Sequence, residues 1–322
     1  MAASKRIATI FRMVDATFLG LLNLVRFLTR FLPPQTFLAA ADYIGYAMYY
    51  IRPGARKYIL ETMRESLPDV GDERELVHIA KKAFSAPIKS MLDIILMERH
   101  LGTVMDRFIV NEEAIALYDR ETAAGRGAIA LSPHIGGVGI SFSLACRVGR
   151  NLTPVAIDPQ NTPIPRYLRA MAEISQKLGC DPDVPVFWTG KDTVAKISEH
   201  IRRGKCACIT FDLAGGTVAD FFGRPTAIAS GIAHIACDTG AVIVPGYIKR
   251  NERPLEYQYV AYPEFSYTLT GNREADVESV LNQVIEIGET LVRQAPEQWI
   301  GWFGLRGWRR RAEKILQDEM KA

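Results

Sequence analysis

The chain has 322 residues, 48% of them hydrophobic and 23% charged, a composition typical of a globular protein with a sizeable core. Its net charge of +3 is too small to indicate nucleic-acid binding. The five cysteines are odd in number and follow no secretory signal, so we expect reduced thiols rather than a disulfide framework, and their spacing favours no metal site.

The first predicted element is an amphipathic helix between residues 7 and 32. Charged residues interrupt its apolar character, and the longest uncharged run, residues 16–25, is too short to span a bilayer. Arginines flank apolar residues that recur at helical spacing, which is typical of a helix lying in a membrane interface. We favour membrane contact; the alternative is a helix packed on the protein's own core.

The rest of the amino-terminal third is also predicted to be helical. Two prolines at 33–34 end the first helix, and further helices are expected over 35–51, 55–65 and 72–84. None of these segments carries evident chemistry. We therefore predict that residues 1–120 form a helical membrane-associating region.

From residue 127 the pattern changes to short apolar runs separated by glycines and prolines. Strands are predicted at 128–131, 152–157, 184–187, 206–211, 241–248 and 257–262. Helices are predicted between them, at 140–148, 164–178, 193–203, 231–239 and 277–293. This alternation indicates an α/β core over 121–322, with a mixed, mostly parallel central sheet flanked by helices and a carboxyl-terminal helix, continuous with the region before it.

The most informative segment is 131–140, where His134 ends an apolar run and is followed by three glycines. A histidine can act as a general base because its ordinary pKa lies close to working pH. Glycine leaves the backbone N–H unshielded, so Gly136 and Gly137 are predicted to donate hydrogen bonds to a developing oxyanion. The alternative is a tight packing turn in which glycine serves only the backbone shape.

Four further segments follow His134 in a recognisable order. They are Pro159-Gln160-Asn161 with Arg166, Phe221-Phe222-Gly223-Arg224-Pro225 with Ser230-Gly231, Gly240-Ala241-Val242-Ile243-Val244-Pro245, and Pro296-Glu297-Gln298-Trp299 with Trp302. Together with Leu131-Ser132-Pro133-His134, they make nearly the whole chain resemble the bacterial lipid A biosynthesis (late) acyltransferases, within the lysophospholipid acyltransferase superfamily. The helical amino-terminal third fits the membrane-associating region of that family.

The resemblance implies that His134 is the catalytic histidine, but one part of the pattern is missing. The family's acidic partner stands five positions later, where this chain has Gly139. A carboxylate normally fixes the tautomer of a catalytic histidine and stabilises its charged form. We expect Asp212 to supply it, with Asp158 as the other candidate; a member without catalysis is the alternative.

The resemblance also implies substrate-binding residues. Arg224 offers a planar fork of donors suited to a phosphate or carboxylate, and the family's equivalent arginine is associated with a phosphorylated substrate. Ser230 is predicted to cap the next helix, with Gly231 admitting a phosphate to the free N–H groups. Asn161 and Arg166 complete the predicted set.

The function we expect is transfer of an acyl group from a carrier-protein or coenzyme A thioester to a hydroxyl or amine of a lipid or glycolipid acceptor. The thioester is then a substrate, and no cofactor or metal is expected. The protein would act at the cytoplasmic face of the bacterial inner membrane, held there by its first helix, with acyl carrier protein as a partner. A lipid-binding homologue without turnover and an aminoacyl transferase are the alternatives.

Overall fold

The computed structural model describes residues 2–178, 186–262 and 265–321. Cys180 and the first two residues of the strand predicted at 184–187 lie outside them. The helices are α1 (Ala2–Leu28), α2 (Pro34–Ile51), α3 (Pro53–Ser66), α4 (Glu73–Arg107), α5 (Glu112–Ala123), α6 (Ser141–Arg147), α7 (Pro165–Lys177), α8 (Thr193–Arg202), α9 (Gly231–Thr239), α10 (Arg273–Gln294) and α11 (Leu305–Glu319). The strands are β1 (Ala128–Leu131), β2 (Leu152–Ala156), β3 (Phe187–Trp188), β4 (Cys206–Ile209), β5 (Ala214–Asp220), β6 (Pro225–Ile228), β7 (Val242–Arg250) and β8 (Tyr257–Ala261).

The central sheet confirms the predicted fold class. Its six strands lie in the order β3-β2-β4-β1-β7-β8, and all pairs are parallel except β7 with β8. Helices flank the sheet, and the strands β1 and β4 at its centre are buried along their whole length. Such fully buried strands read as continuous apolar runs, which is why the sequence predicted them closely.

Helix α4 is much longer than the predicted segment 72–84. It continues past Pro87 to Arg107, with non-helical dihedral angles at His100. A proline interrupts the backbone hydrogen bonds of a helix, so sequence favours an end there. Burial of the following apolar turn, which includes Leu92, Leu96 and Met97, offsets that loss, and α4 packs along α2 over its length.

A two-stranded antiparallel sheet, β5 with β6, was not predicted. Residues 214–220 are rich in glycine and lack the alternation of a half-buried strand, and the pairing is irregular between Ala214 and Thr217. The turn of this hairpin places Phe222 and Gly223 at positive φ, which short hairpin turns require. The hairpin packs against α11, so its position depends on contacts distant in sequence.

The sheet register brings two loop residues together. Leu131 at the end of β1 pairs with Ile209 at the end of β4, and the two strands run parallel. His134 and Asp212 each stand three residues beyond these partners. Both side chains therefore emerge at the carboxyl edge of the sheet, where α/β proteins hold their ligands.

Candidate active site

His134 is bonded to Asp212 through both its ring and its backbone. The ring Nδ1 lies 2.7 Å from Asp212 Oδ1, and the backbone N–H of His134 donates to Asp212 Oδ2 at 2.8 Å. Asp212 is 1% exposed, whereas about a quarter of the His134 side chain reaches solvent. Because a carboxylate accepts, Nδ1 carries the proton, and Nε2 is left as the basic atom.

The environment of His134 acts on its pKa in two directions. Burial of the ring lowers the pKa, because the imidazolium loses solvation. The charge of Asp212 and its hydrogen bond raise it, and together they prevail, so the pKa of His134 lies above its ordinary value of 6.5. The imidazole is thus made more basic by a carboxylate that follows the neighbouring strand β4.

Asp212 also accepts a bond that the sequence did not indicate. The indole N–H of Trp299 donates to Asp212 Oδ2 at 2.7 Å, and Trp299 is fully buried. The sequence singled out Trp299 only as part of a carboxyl-terminal motif. Its 87-residue separation from Asp212 gives no local signal that the two side chains meet.

Gly136 and Gly137 do not present free amides to the site, contrary to the role predicted for them. The N–H of Gly136 donates to the carbonyl of Gln298 at 3.2 Å, and that of Gly137 to the carbonyl of Ile248 at 2.8 Å. A Cβ on Gly136 would lie 2.2 Å from the Ile248 carbonyl oxygen, and its φ of +54° suits glycine. The two glycines here serve close packing of the turn on β7, which was the alternative.

Gly139, at the position where the resemblance led us to expect an acid, faces helix α4. A Cβ there would lie 2.8 Å from Ile94 Cδ1 and 3.2 Å from Ile94 Cγ1. The same helix bonds the turn directly, since Ser90 Oγ donates to the Gly136 carbonyl at 3.1 Å. The position of α4 thus explains the glycine, and the carboxylate that contacts His134 comes from Asp212.

Replacing Gly139 with alanine should reduce stability by about 1 kcal/mol, because the added methyl must displace the Ile94 Cδ1 methyl. Shortening that neighbour, Ile94→Val, removes the nearest atom, so the double variant should recover part of the loss. Urea unfolding of the four proteins of this cycle measures the coupling. Strictly additive free energies would show that Ile94 is not what restricts position 139.

Replacing Gly139 with aspartate should give no gain in activity, because Asp212 already supplies the carboxylate that contacts His134.

Asp158, the other acid considered, has a local role. Its carboxylate accepts the N–H of Gln160 at 2.9 Å and caps a short 3₁₀ helix, Pro159–Asn161. Asn161 is exposed at the end of that turn. Since β4 lies between β2 and β1 in the sheet, Asp158 follows a strand that does not neighbour the one before His134.

Arg166 lies at the start of α7 and is tied to the first helix. Its backbone N–H and that of Tyr167 donate to the buried carboxylate of Asp15, at 3.1 and 3.0 Å. Its guanidinium is largely exposed and lies 3.9 Å from the same carboxylate. Asp15, which lies in α1, therefore caps α7. This contact joins the predicted binding residue Arg166 to the amino-terminal helix.

The substrate-binding residues predicted within 221–231 have other partners. Arg224 pairs with Glu65 of α3 at 2.5 Å and is about half exposed. Ser230 stands at the N-cap position of α9, but its side chain makes no capping bond; its hydroxyl accepts from Thr217 at 2.8 Å instead. The predicted capping by Ser230 is therefore wrong, because the β5–β6 hairpin supplies a competing partner. Gly231 is the first residue of α9.

An apolar cavity of about 60 Å³ lies beside the turn that carries His134, on one face of the sheet. Small side chains on β1 and β4 leave the space, because Ala130, Ser132 and Cys208 all point to that face. Its other walls come from α5, α6, β7 and β8, and include Tyr118, Ala145, Gly246 and Tyr259. Ser132, two residues before His134, borders it.

Comparison with known proteins adds two findings. Residues 5–310 match the sequence profile of the family described as bacterial lipid A biosynthesis acyltransferase. The chain is also similar to a phosphatidylinositol mannoside acyltransferase of Mycobacterium tuberculosis, with 24% identity over 204 residues. That match covers 62% of this chain and 60% of the relative.

Proposed function

The chain belongs to the bacterial lipid A biosynthesis acyltransferase family, and on that premise we propose that it transfers an acyl group from a thioester to a hydroxyl or amine of a lipid or glycolipid acceptor. The observation that carries the proposal is the His134–Asp212 pair, 2.7 Å apart at the carboxyl edge of the sheet. The family supplies the class of reaction, and this pair supplies a base suited to it.

In the proposed mechanism Nε2 of His134 removes the proton from the acceptor hydroxyl or amine as its oxygen or nitrogen attacks the thioester carbonyl. Asp212 stabilises the imidazolium that forms. The tetrahedral intermediate then collapses, the carbon–sulfur bond breaks, and the imidazolium returns the proton to the leaving thiolate. The acyl group thus passes directly to the acceptor, and no acyl-enzyme is needed.

We propose that the apolar cavity beside Ser132, with a volume of about 60 Å³, receives a short part of the acyl chain. Its walls are almost entirely apolar, so a hydrocarbon chain loses no hydrogen bonds on entering. Ser132 and Ser141 border the cavity, so a chain held there would lie beside the turn that carries His134. The cavity therefore favours an apolar acyl group over an aminoacyl group, whose charged amine would be desolvated without a partner.

The direct test is an assay with the purified protein, acyl-carrier-protein and acyl-coenzyme A donors, and bacterial lipid extract as acceptor. Mass spectrometry of the products identifies the transferred group and the acceptor. A mass increase equal to a fatty acyl group, less water, is the expected result. An aminoacyl mass would redirect the proposal to that group, and the absence of any donor-dependent product would favour a homologue that binds lipid without turnover.

We also propose that the protein acts on a membrane surface through α1 and α2, at the cytoplasmic face of the bacterial inner membrane. No helix among the described residues meets the length and hydropathy needed to cross a bilayer. Two polar side chains of α1 turn inward: Asp15 is buried at α7, and Arg26 makes a double hydrogen bond to Glu98 of α4. Leu22, which lies between Asp15 and Arg26 in the sequence, is buried in the core.

The outward face of this region is apolar. Large apolar side chains between one-third and three-quarters exposed cover it: Ile10, Phe11, Met13, Leu21, Leu24, Phe27, Phe31, Leu32, Tyr43, Ile44, Tyr50 and Ile51. Arg30 lies over the ring of Phe27 at its edge. Exposed large apolar side chains with basic residues beside them are suited to the interface of an anionic bilayer. Helix α1 thus packs on the core with one face and leaves the other for lipid.

Replacing Leu24 and Phe27 together with glutamate should weaken vesicle binding by roughly a hundredfold, because two large apolar side chains no longer enter the lipid. Flotation with vesicles of phosphatidylcholine and phosphatidylglycerol measures the bound fraction. Leu316→Glu, at an exposed apolar position of α11, is the matched control and should bind like the original protein. Equal binding by all three proteins would contradict the proposal.

A further inference from the structure

The segment 296–300 contacts the backbone on both sides of the proposed base. The N–H of Ile300 donates to the carbonyl of His134 at 3.0 Å, and the carbonyl of Gln298 accepts the N–H of Gly136 at 3.2 Å. Ile135 and Trp299 stand opposite each other in this short antiparallel pairing. The register of the pairing therefore fixes Trp299 beside the turn that carries His134.

The two carboxylate oxygens of Asp212 have different hydrogen-bond partners, and Trp299 contacts one of them. Its indole N–H and the backbone N–H of His134 both donate to Oδ2, at 2.7 and 2.8 Å, which leaves Oδ1 for the imidazole. We propose that Trp299 is a positioning residue for acyl transfer, holding the Asp212 carboxylate in the orientation that bonds His134 Nδ1 and moderating its charge. This inference rests on the proposed role of His134 as general base.

The surroundings of Trp299 are shaped to hold the indole in this orientation. A Cβ at Gly301 would lie 2.1 Å from the six-membered part of the ring, so only glycine admits it. Trp302 meets the indole edge-on with ring centroids 4.7 Å apart, and Phe221 does so at 5.8 Å. With the ring fixed, its N–H has one acceptor, and the bond to Asp212 is preorganised.

Gln298 ties the same segment to the sheet. Its side chain accepts the N–H of Arg250 and donates to the carbonyl of Arg250, both at 2.9 Å, at the end of β7. Arg250 in turn pairs with the buried Asp93 of α4 at 2.5 Å. The segment that carries Trp299 is thus held by the sheet and by α4. Through the bond from the Trp299 indole N–H, it restrains the Asp212 carboxylate.

Removing the indole N–H has two consequences for the base. The carboxylate loses one of its donors, so more negative charge bears on the imidazole, and the pKa of His134 should rise. The carboxylate keeps its bond to Nδ1 but has one donor fewer to hold it, so the ring is oriented less firmly and kcat should fall about tenfold, the loss of one hydrogen bond to a charged group. KM should change little, because Trp299 is buried and does not contact a substrate.

The experiment compares Trp299→Phe with Trp302→Phe in the full chain. Trp302 is the matched control, since it is equally buried in the same cluster and donates its indole N–H to the Pro296 carbonyl rather than to Asp212. The pKa of His134 is measured by NMR titration of its ring, and kcat and KM by acyl transfer across pH. We expect a higher His134 pKa, an acidic limb shifted to higher pH and a lower kcat in Trp299→Phe alone.

An unchanged or lower pKa of His134 in Trp299→Phe, or equal effects of both variants, would overturn the inference. If Trp299→Phe does not fold, incorporating benzothienylalanine at position 299 removes the N–H while keeping the ring shape. The NMR titration reports the coupling independently of catalysis. Retained activity in a variant without the His134 ring would reject the general base and, with it, the role of Trp299 in acyl transfer, whereas an unchanged His134 pKa in Trp299→Phe would overturn the role of Trp299 alone.

Discussion

Replacing His134 with alanine should reduce acyl transfer about a thousandfold, the contribution expected of a positioned general base. The loss should appear in kcat more than in KM, because the imidazole acts on a proton that moves only in the transition state. The measurement is initial rate of product formation by mass spectrometry with a saturating thioester donor.

The fold should survive this change. Asp212 keeps two of its three donors, the backbone N–H at position 134 and the indole N–H of Trp299, so the buried carboxylate is not left unbonded. His78→Ala, at an exposed position of α4, is the control and should leave the rate unchanged. Full product yield from His134→Ala would remove the imidazole from the mechanism and favour a different base.

Replacing Asp212 with asparagine should have an effect of similar size, about a thousandfold or more on kcat, by a different route. An asparagine that turns its NH₂ group toward Nδ1 makes that nitrogen the acceptor. The ring proton then moves to Nε2, the atom that the mechanism needs as a base. The variant keeps the shape of the side chain, so the loss reports the tautomer rather than the packing.

The pH dependence gives this variant a second signature. In the original protein the pKa of His134 is raised, so activity should fall as the pH drops through a value above 6.5, where the base becomes protonated. Without the charge of Asp212 only the effect of burial remains, and burial lowers the pKa. The acidic limb of the residual activity should therefore move to lower pH in Asp212→Asn.

Asp158→Asn is the matched control, because Asp158 is the other acid considered from the sequence but caps a neighbouring turn. Its acidic limb should coincide with that of the original protein. If the acidic limb moves in Asp158→Asn but not in Asp212→Asn, the partner of His134 is Asp158, and the assignment of Asp212 is wrong. The rate and the pH profile together thus test whether His134 and Asp212 act as a pair.

The features that the sequence predicted well depend on local pattern. β1 was predicted with its observed bounds because four consecutive apolar residues precede Ser132. The helices α8 and α9 were predicted within one residue of their ends. The order of short motifs identified the family that the profile match confirms. Where local pattern was weak, as in the β5–β6 hairpin, prediction failed.

The missing acid at position 139 was visible in the sequence, but its explanation was not. The packing of α4 on the turn decides that Gly139 has room for no side chain without displacing Ile94. Likewise the amides of Gly136 and Gly137 looked free only because their acceptors, the carbonyls of Gln298 and Ile248, lie far along the chain. Local sequence cannot indicate how a distant strand fills the hydrogen bonds of a turn.

The sequence by itself determined the fold class, the family and His134 as the leading candidate base. Only the tertiary structure decided which carboxylate contacts His134 and what holds that carboxylate. Asp212 is 78 residues away and Trp299 is 87 residues further along the chain. Their meeting follows from the parallel register of β1 with β4 and from the pairing of Ile135 with Trp299. Such contacts depend on how separate elements align, which no local periodicity encodes.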